Sequence, residues 1–213
     1  MWYVNKKIMV REALSSPDYR GDYPYQGIGT ITTVMVRTFV ALELSETVRG
    51  RLKEAQDVLK TSSSRLTFVD PSLIHITVKF LGEVDEKMLA RIRDALKPVQ
   101  YQPFPVSAGN VTVNNPRRPH TVWCAIGDNG NGERLLSLVE DALSSLGFPR
   151  ESRKFTPHAT VARVKYSDPS LFAVLDQLKG RTYGECLVSG MKLKKSTLTP
   201  RGPVYEDLLE VKW

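Results

Sequence analysis

The segments "HITVKF" (residues 75–80) and "HATVAR" (residues 158–163) share the pattern His-x-Thr-Val. The chain of 213 residues has three histidines, and this pattern holds two of them. The β-branched residues and the short length of each segment predict a strand. Successive side chains of a strand point to opposite faces. Each segment is therefore expected to place its histidine and threonine on one face and its apolar residues on the other.

The elements around the two segments occur twice in the same order. The sequence predicts the order strand, helix, strand, helix, strand for each half, with "RTFVALEL" (37–44) and "TVWCAIG" (121–127) as the first strands. The interval between these strands is almost the same as the interval between the two histidines. Such a repeat indicates two similar structural units. We predict an α+β fold of two pseudo-symmetric lobes, each a mainly antiparallel sheet with two helices on its outer face, around a central cleft.

Residues 1–34 differ from the rest of the chain. The segment "SSPDYRGDYPYQGIGT" (15–30) is rich in Tyr, Gly, Pro and Ser and has no apolar period, so an irregular N-terminal extension is expected. The remainder, residues 35–213, is expected to form one bilobal domain. Its lobes are predicted at residues 35–114 and 115–203, with the C-terminal strand crossing over.

Local signals set the limits of several elements. Ser45 is suited to cap a helix that runs to about Lys60. Gly147 is suited to end the leucine-rich helix of the second half. The segment "GECLVSGMKLKKS" (184–196) predicts a single strand.

Composition and charge limit the classes of function. No apolar run approaches the length of about 20 residues that a membrane span needs. Cys124 and Cys186 lie in apolar segments and are expected to be free thiols, which favours the reducing cytoplasm. The net charge of +7 and the pI of about 9.4 favour an anionic partner, nucleic acid before a membrane surface. We expect a cytoplasmic monomer that does not bind membranes.

Two histidines on opposite walls of a cleft suit a displacement at phosphorus. One neutral imidazole takes a proton from an attacking water, while the other, as imidazolium, gives a proton to the departing oxygen. The ordinary histidine pKa of about 6.5 lets both forms exist near neutral pH. Hydroxyls of Thr77 and Thr160 can donate to the nonbridging oxygens, where charge gathers in the transition state. His75, His158 and these threonines are therefore the candidate site residues, and the chemistry requires neither a metal ion nor a cofactor.

Other interpretations of the histidines have less support. A metal site would need further ligands, and the sequence has no His-x-His and no cluster of carboxylates beside His75 or His158. A lone strand histidine is usually structural, but matched positions in an internal repeat argue against that interpretation here. His120 lies in a basic, Pro-rich turn with Arg117 and Arg118, and we expect it on the surface.

The residues five positions after the histidines are Phe80 and Arg163. Both side chains are flat and can stack on a nucleobase. Strict alternation aims both at the core, which suits Phe80 but not Arg163, because a buried arginine needs a partner. A local turn of the backbone would aim them at the cleft. Lys79 lies on the histidine face by alternation and is expected to add positive potential for RNA.

At these residues the sequence resembles the 2H phosphoesterase superfamily, which is named for two HxT motifs in pseudo-symmetric lobes. The segments "VRTFVALEL" (36–44), "HITVKFLGEV" (75–84) and "FTPHATVAR" (155–163) are similar to the RNA 2′,3′-cyclic phosphodiesterases, also called 2′-5′ RNA ligases. The likeness runs from about Met35 to the C-terminus.

The resemblance implies hydrolysis of RNA 2′,3′-cyclic phosphate ends to 2′-phosphate ends, without metal, and ATP-independent 2′-5′ ligation. By matching motif position, it implies that His158 is the general base and that His75 is the general acid for the leaving 3′ oxygen. The two threonines then bind the phosphate, and Phe80 and Arg163 pack on the terminal base.

Two alternatives remain open from the sequence. The same four polar residues suit a 2H phosphodiesterase that acts on a small cyclic phosphate nucleotide or on a 2′-5′ oligonucleotide. A non-catalytic module that binds RNA ends is the alternative outside enzymes.

Overall fold

Nine strands and four α-helices form the part of the chain that the computed structural model describes, residues 35–199 and 202–213. The extension expected over residues 1–34 lies outside these ranges. None of the described helices has both the length and the apolar character that spanning a membrane requires.

The elements follow the repeated order that the sequence predicts. The strands are β1 (Val36–Glu43), β2 (Arg65–Phe68), β3 (His75–Val84), β4 (Phe104–Val113), β5 (Thr121–Gly127), β6 (His158–Tyr166), β7 (Gly184–Val188), β8 (Gly190–Thr199) and β9 (Gly202–Lys212). The α-helices are α1 (Glu46–Leu59), α2 (Glu86–Leu96), α3 (Asn131–Leu143) and α4 (Ser170–Gln177), and short 3-10 turns occur at Pro71–Leu73 and Ser144–Leu146. The predicted α+β class is confirmed.

The helices begin and end at the residues that local chemistry favours. Ser45 Oγ accepts a 3.3 Å hydrogen bond from the Val48 N–H at the start of α1. Asp85 Oδ1 accepts a 2.7 Å bond from the Met88 N–H at the start of α2. Each bond satisfies an amide that has no partner within the first helical turn. Gly147, with φ of 82°, ends the 3-10 turn after α3 in the left-handed conformation that glycine allows.

All nine strands belong to one antiparallel sheet in the order β7-β4-β5-β6-β3-β1-β8-β9, with β2 beside β6. The strands that carry the two histidine segments, β3 and β6, adjoin near its centre. We call β3, β1, β8 and β9 the first half, and β6, β5, β4, β7 and β2 the second half.

The halves in space differ from the predicted lobe limits. β4 belongs to the first repeat in sequence, yet it pairs with β5 and β7 in the second half. A short turn over residues 114–120 joins β4 to β5, and strands that follow each other closely tend to pair. β8 and β9 pair with each other and β8 pairs with β1, so the C-terminal strands cross to the first half.

The predicted single strand over residues 184–196 is divided in two. β7 pairs with β4 in the second half, whereas β8 pairs with β1 in the first, and the chain crosses between halves at Ser189. Gly190 permits the close approach of β8 to β9 just after this point, because a Cβ at this position would lie 2.6 Å from Val211 O.

Two helices cover each half of the sheet. α3 contacts β3 and α2 contacts β9, while α1 contacts β6 and β7 and packs beside α4. Leu59 of α1 and Leu143 of α3, which occupy equivalent positions of the repeat, are both fully buried. Burial of one such leucine stabilises the fold by roughly 1.5–3 kcal/mol. The two helices are therefore exchanged between the halves. α1 precedes β3 in sequence but covers the second half, and α3 follows β5 but covers the first half.

Candidate active site

A β-bulge in β3 turns Phe80 toward the histidine face. The register between β3 and β1 slips by one residue at Val78, so that Val78 and Lys79 are both buried. A bulge reverses the alternation of the residues that follow it. Phe80 is therefore on the face of His75 and Thr77, where its side chain is 59% exposed.

The equivalent bulge in β6 turns Arg163 toward the same cleft. Here the register to β5 slips at Val161, and Val161 and Ala162 are both buried. Arg163 is exposed beyond the bulge, and its Nη1 donates a 2.9 Å hydrogen bond to Thr121 Oγ1. The two bulges lie at matched positions of the repeat.

The expectation that Lys79 presents its ammonium on the histidine face is wrong. Lys79 is 4% exposed, and its Nζ donates 2.8 Å hydrogen bonds to Glu140 Oε1 and to Pro149 O. Strict alternation predicts the opposite face, but the bulge at Val78 precedes Lys79 and turns it to the helix side of the sheet.

The two histidine rings make equivalent hydrogen bonds. His75 Nδ1–H donates to Leu73 O at 2.7 Å, and His158 Nδ1–H donates to Thr156 O at 2.7 Å. Because a carbonyl oxygen can only accept, Nδ1 carries the proton of each neutral ring. Nε2 is left as the nitrogen that exchanges protons, and in His75 it lies 3.1 Å from Thr77 Oγ1.

The central strands place the two segments about an approximate two-fold axis. β3 and β6 pair at Ile76 and Ala159. If this antiparallel register is continued by one residue in each direction, His75 lies opposite Thr160 and Thr77 lies opposite His158. The two His-x-Thr segments are therefore brought together near the centre of the sheet.

Aromatic rings support both imidazoles. The Phe39 ring stacks on His75 at a centroid distance of 5.0 Å, and the Tyr205 ring meets His75 edge-on at 5.4 Å. The Trp123 ring lies 4.2 Å from His158. Phe39 and Trp123 are the third residues of "RTFVALEL" and "TVWCAIG", so the repeat is the sequence signal that could have identified them. Tyr205 reaches the site from β9 and has no such signal.

Burial lowers the pKa of both histidines below the ordinary value. For His75 the hydrogen bond to Leu73 O opposes this effect but does not outweigh it. For His158 the positive charge of Arg163 adds to the effect of burial. The free site therefore favours neutral imidazoles, and a bound phosphate anion would favour the protonated form.

The four His and Thr side chains line one cleft of about 1440 Å³, together with Phe80 and Arg163. Among the described residues, seven exposed Lys and Arg side chains line it, namely Arg37, Lys53, Lys60, Arg153, Lys154, Arg163 and Lys165, whereas the ammonium of Lys79 lies on the helix side of the sheet. The acidic lining residues are Asp70 and Glu151. A positive lining of this extent concentrates anions.

The remaining candidates lie apart from the cleft. His120, Arg117 and Arg118 are exposed in the turn between β4 and β5 and do not line it. Cys124 and Cys186 are free, as predicted. Within residues 35–199 and 202–213, no group of three or more His, Cys, Asp or Glu side chains is suited to hold a metal ion.

Comparison with known proteins gives consistent matches over this domain. The family model for the 2′-5′ RNA ligase superfamily matches residues 40–197. The RNA 2′,3′-cyclic phosphodiesterase of Archaeoglobus fulgidus is 39% identical over 176 residues, which cover 81% of this chain and 98% of that protein. The RNA 2′,3′-cyclic phosphodiesterase of Methanothermobacter thermautotrophicus is 34% identical over 178 residues, covering 81% and 96%.

A solved structure has the same fold. The crystal structure of TT0787 of Thermus thermophilus superposes on this chain with a TM-score of 0.68 at 28% sequence identity. The superposition covers 83% of this chain and 97% of that chain.

Proposed function

The chain belongs to the 2′-5′ RNA ligase superfamily, and we propose that it is an RNA 2′,3′-cyclic phosphodiesterase that hydrolyses cyclic phosphate ends to 2′-phosphate ends by two-histidine acid and base catalysis. The observation that carries the proposal is the matched pair of His-x-Thr segments, with equivalent Nδ1 hydrogen bonds, lining one cleft.

The proposed reaction is a single displacement at phosphorus. His158 Nε2, in the neutral form, takes a proton from a water molecule whose oxygen attacks the phosphorus. The bond from phosphorus to the ribose 3′ oxygen breaks, and that oxygen takes the proton of the His75 imidazolium. The product carries a 2′-phosphate and a 3′-hydroxyl, and proton exchange with solvent restores both rings. The assignment of acid and base follows the matching motif positions of the family.

Thr77 and Thr160 supply the remaining polar contacts in this proposal. Each lies two positions after a histidine on the same strand, and its hydroxyl donates to a nonbridging phosphate oxygen, where charge accumulates in the transition state. Phe80 and Arg163 pack on the terminal base. These roles require no metal ion, because proton transfer and hydrogen bonding supply the whole of the chemistry.

We propose ATP-independent 2′-5′ ligation as a second activity of the same site. If the 5′-hydroxyl of a second RNA end replaces water as the nucleophile, attack on the cyclic phosphate forms a 2′-5′ linkage. The ring-opening of the cyclic phosphate drives this step, so ATP is not needed.

The size and charge of the cleft favour an RNA strand over a small nucleotide. Sites for drug-sized ligands have volumes of about 300–1,000 Å³, whereas this cleft has about 1440 Å³ and seven exposed basic lining residues. We therefore propose RNA with a 2′,3′-cyclic phosphate or 2′-phosphate end as the partner of this chain.

The test is incubation of a short RNA ending in 2′,3′-cyclic phosphate with the protein in excess EDTA. We expect a 2′-phosphate product. His75→Ala and His158→Ala should each slow turnover by roughly 10²–10⁴-fold, the contribution of a positioned acid or base. His120→Ala, an exposed histidine outside the cleft, is the matched control and should retain the parent rate.

Three results would contradict the proposal. A 3′-phosphate product would mean that the leaving group is the 2′ oxygen. Turnover that EDTA abolishes would require a metal ion. Binding without turnover would favour an RNA-end binding module.

A further inference from the structure

The junction between the two halves of the sheet contains little strand pairing. Over the described part of the chain, β3 and β6 pair only at Ile76 and Ala159. The segment before His75 runs beside β6, where the Val69 N–H donates to Val161 O at 3.0 Å. The relative position of the two histidines therefore depends on contacts other than the ladder between β3 and β6.

Gln56 of α1 makes one of these contacts. Its side chain is 3% exposed, and Nε2 donates hydrogen bonds to Val69 O at 2.7 Å and to Val161 O at 2.9 Å. Val69 lies in the segment that leads to His75, and Val161 is the bulge residue of β6. Gln56 thus joins the approach to one histidine to the strand of the other, and we call this the first clamp.

Glu140 of α3 makes the reciprocal contact. Its carboxylate is 7% exposed, and Oε1 accepts from Lys79 Nζ at 2.8 Å and from the Glu151 N–H at 2.7 Å. Lys79 follows the bulge of β3, and Glu151 lies in the segment that leads to His158. We call Glu140 with these two donors the second clamp.

The clamps occupy equivalent positions with opposite hydrogen-bonding roles. The interval from Gln56 to Glu140 is the same as the interval from Arg37 to Thr121, the repeat of the first strands. The first clamp is a neutral amide that donates to two carbonyls, and the second is a carboxylate that accepts from an ammonium and an amide. Buried polar groups of this kind have to be satisfied, so each clamp fixes both of the segments that it joins.

We propose that Gln56 and Glu140 are positioning residues that hold the two His-x-Thr segments at the separation and orientation that acid and base catalysis requires. The rate effect of this proposal rests on the proposed function, whereas its effect on the histidine rings does not. A displacement of about 1 Å at a reacting group can cost roughly 10²-fold in rate. Loss of a clamp should therefore lower kcat by about 10-fold or more and change KM much less.

The first clamp is tested with Gln56→Leu, which keeps the size of the side chain and removes the donor. Ala55→Gly is the matched control, because Ala55 is the adjacent buried residue on α1 and its change weakens the helix without touching either hydrogen bond. We expect a fall in kcat for Gln56→Leu that exceeds the fall for Ala55→Gly at equal or smaller loss of Tm.

The second clamp is tested with the double variant Lys79→Met and Glu140→Leu. Replacement of a whole buried ion pair by apolar residues of similar volume often preserves stability. The hydrogen bonds to the Glu151 N–H and to Pro149 O are nevertheless lost. We expect a fall in kcat that exceeds the fall for Ala55→Gly at equal loss of Tm, a combination that a purely structural role would not produce.

The histidine ring signals in NMR spectra give a readout that does not depend on turnover. The chain has three histidines, and exposed His120 is an internal reference. Both clamp variants should shift the ring signals of His75 and His158 and leave that of His120 in place. Unchanged ring signals, or a kcat no lower than that of Ala55→Gly, would overturn the proposal. Shifted signals in a protein whose parent does not turn over cyclic phosphate ends would support the clamps and refute the proposed function.

Discussion

Each histidine of the candidate site has its tautomer fixed by one main-chain carbonyl. The 2.7 Å hydrogen bonds from Nδ1 to Leu73 O and Thr156 O leave Nε2 of each ring for proton exchange. Phe39 and Trp123 pack against the rings and restrict their rotation. Equivalent supports make the two rings chemically similar, so the different roles that we propose for them must depend on where the substrate places water and the leaving oxygen.

At this scale we predict a bell-shaped pH profile of kcat/KM with its maximum below about pH 6.5, the ordinary histidine value. The base must be neutral, so the rate rises with pH through its pKa, and the acid must be protonated, so the rate falls with pH through its pKa. Burial lowers the pKa of both His75 and His158 in the free enzyme. Both limbs of the profile therefore move to lower pH. Initial rates on an RNA with a cyclic phosphate end, measured between about pH 4.5 and 8.5, give the positions of both limbs.

Glu43→Gln provides a directional control for this profile. The charge of Glu43 raises the pKa of His75, the proposed acid. Removal of this charge should therefore move the falling limb of the profile further to low pH and leave the rising limb in place. Lys194, which pairs with Glu43, keeps a 2.6 Å ion pair with Asp207 in this variant. A maximum above the ordinary histidine pKa, or two limbs that move together, would contradict the account.

At the scale of elements, the β-bulges decide which side chains enter the cleft. Ser45 begins a helix and Gly147 ends a helical segment as the sequence predicts, because capping depends on neighbours within one turn. A bulge depends on the register with another strand, which local sequence does not encode. For this reason the orientation of Phe80 stayed open from the sequence, and that of Lys79 was predicted wrongly.

Dependence on distant partner strands also explains why β2 was not predicted and why β7 and β8 were predicted as a single strand. β2 is short and pairs with β6, which is distant from it in the chain. The division at Ser189 appears only when the partners of β7 and β8 are known. The shared face of each His-x-Thr pair, in contrast, was predictable, because a spacing of two on one strand suffices to define it.

The bulge in β3 leads to a prediction for Phe80→Ala. Loss of base stacking costs about 1–3 kcal/mol per base, which corresponds to a rise in KM of roughly 5- to 150-fold. Because Phe80 is more than half exposed, the free energy of unfolding should change little. Steady-state kinetics on RNA ending in cyclic phosphate measures the effect, with Phe172→Ala, an exposed phenylalanine of α4 outside the cleft, as the control.

An abasic terminal nucleotide distinguishes stacking from other effects of this change. On such a substrate, the parent and Phe80→Ala should have similar KM values, because the base on which we propose that Phe80 stacks is absent. A rise in KM that is equal on normal and abasic ends would show that Phe80 does not stack on the base.

At the scale of the whole molecule, the cleft concentrates basic side chains between the two halves. Arg153 and Lys154 belong to the segment before His158, and Arg37 and Lys165 belong to β1 and β6. The net charge of +7 predicted an anionic partner from composition alone. The concentration of positive charge at the cleft was not predictable from the sequence, because the position of the basic side chains depends on the exchange of strands and helices between the halves.

This distribution predicts a difference in salt dependence between long and short substrates. Each phosphate contact on a single strand contributes about 0.7 to the slope of log affinity against log salt. The KM for an RNA of about a dozen nucleotides should therefore rise more steeply with salt than the KM for a cyclic mononucleotide. The double variant Arg153→Gln and Lys154→Gln should reduce the slope for RNA by roughly one unit or more.

Lys179→Gln is the control for this experiment, since Lys179 is exposed and does not line the cleft. It should leave the salt slope close to that of the parent. Equal slopes for the long RNA and the mononucleotide would instead favour a small cyclic nucleotide as the substrate.

The most direct test of the two-histidine account uses an RNA whose cyclic phosphate has sulfur in place of the bridging 3′ oxygen. A thiolate leaves without protonation, so this substrate does not need a general acid. The account predicts that sulfur restores most of the rate of His75→Ala and little of the rate of His158→Ala. Equal rescue of both variants, or rescue of neither, would contradict the assignment of His75 as acid and His158 as base.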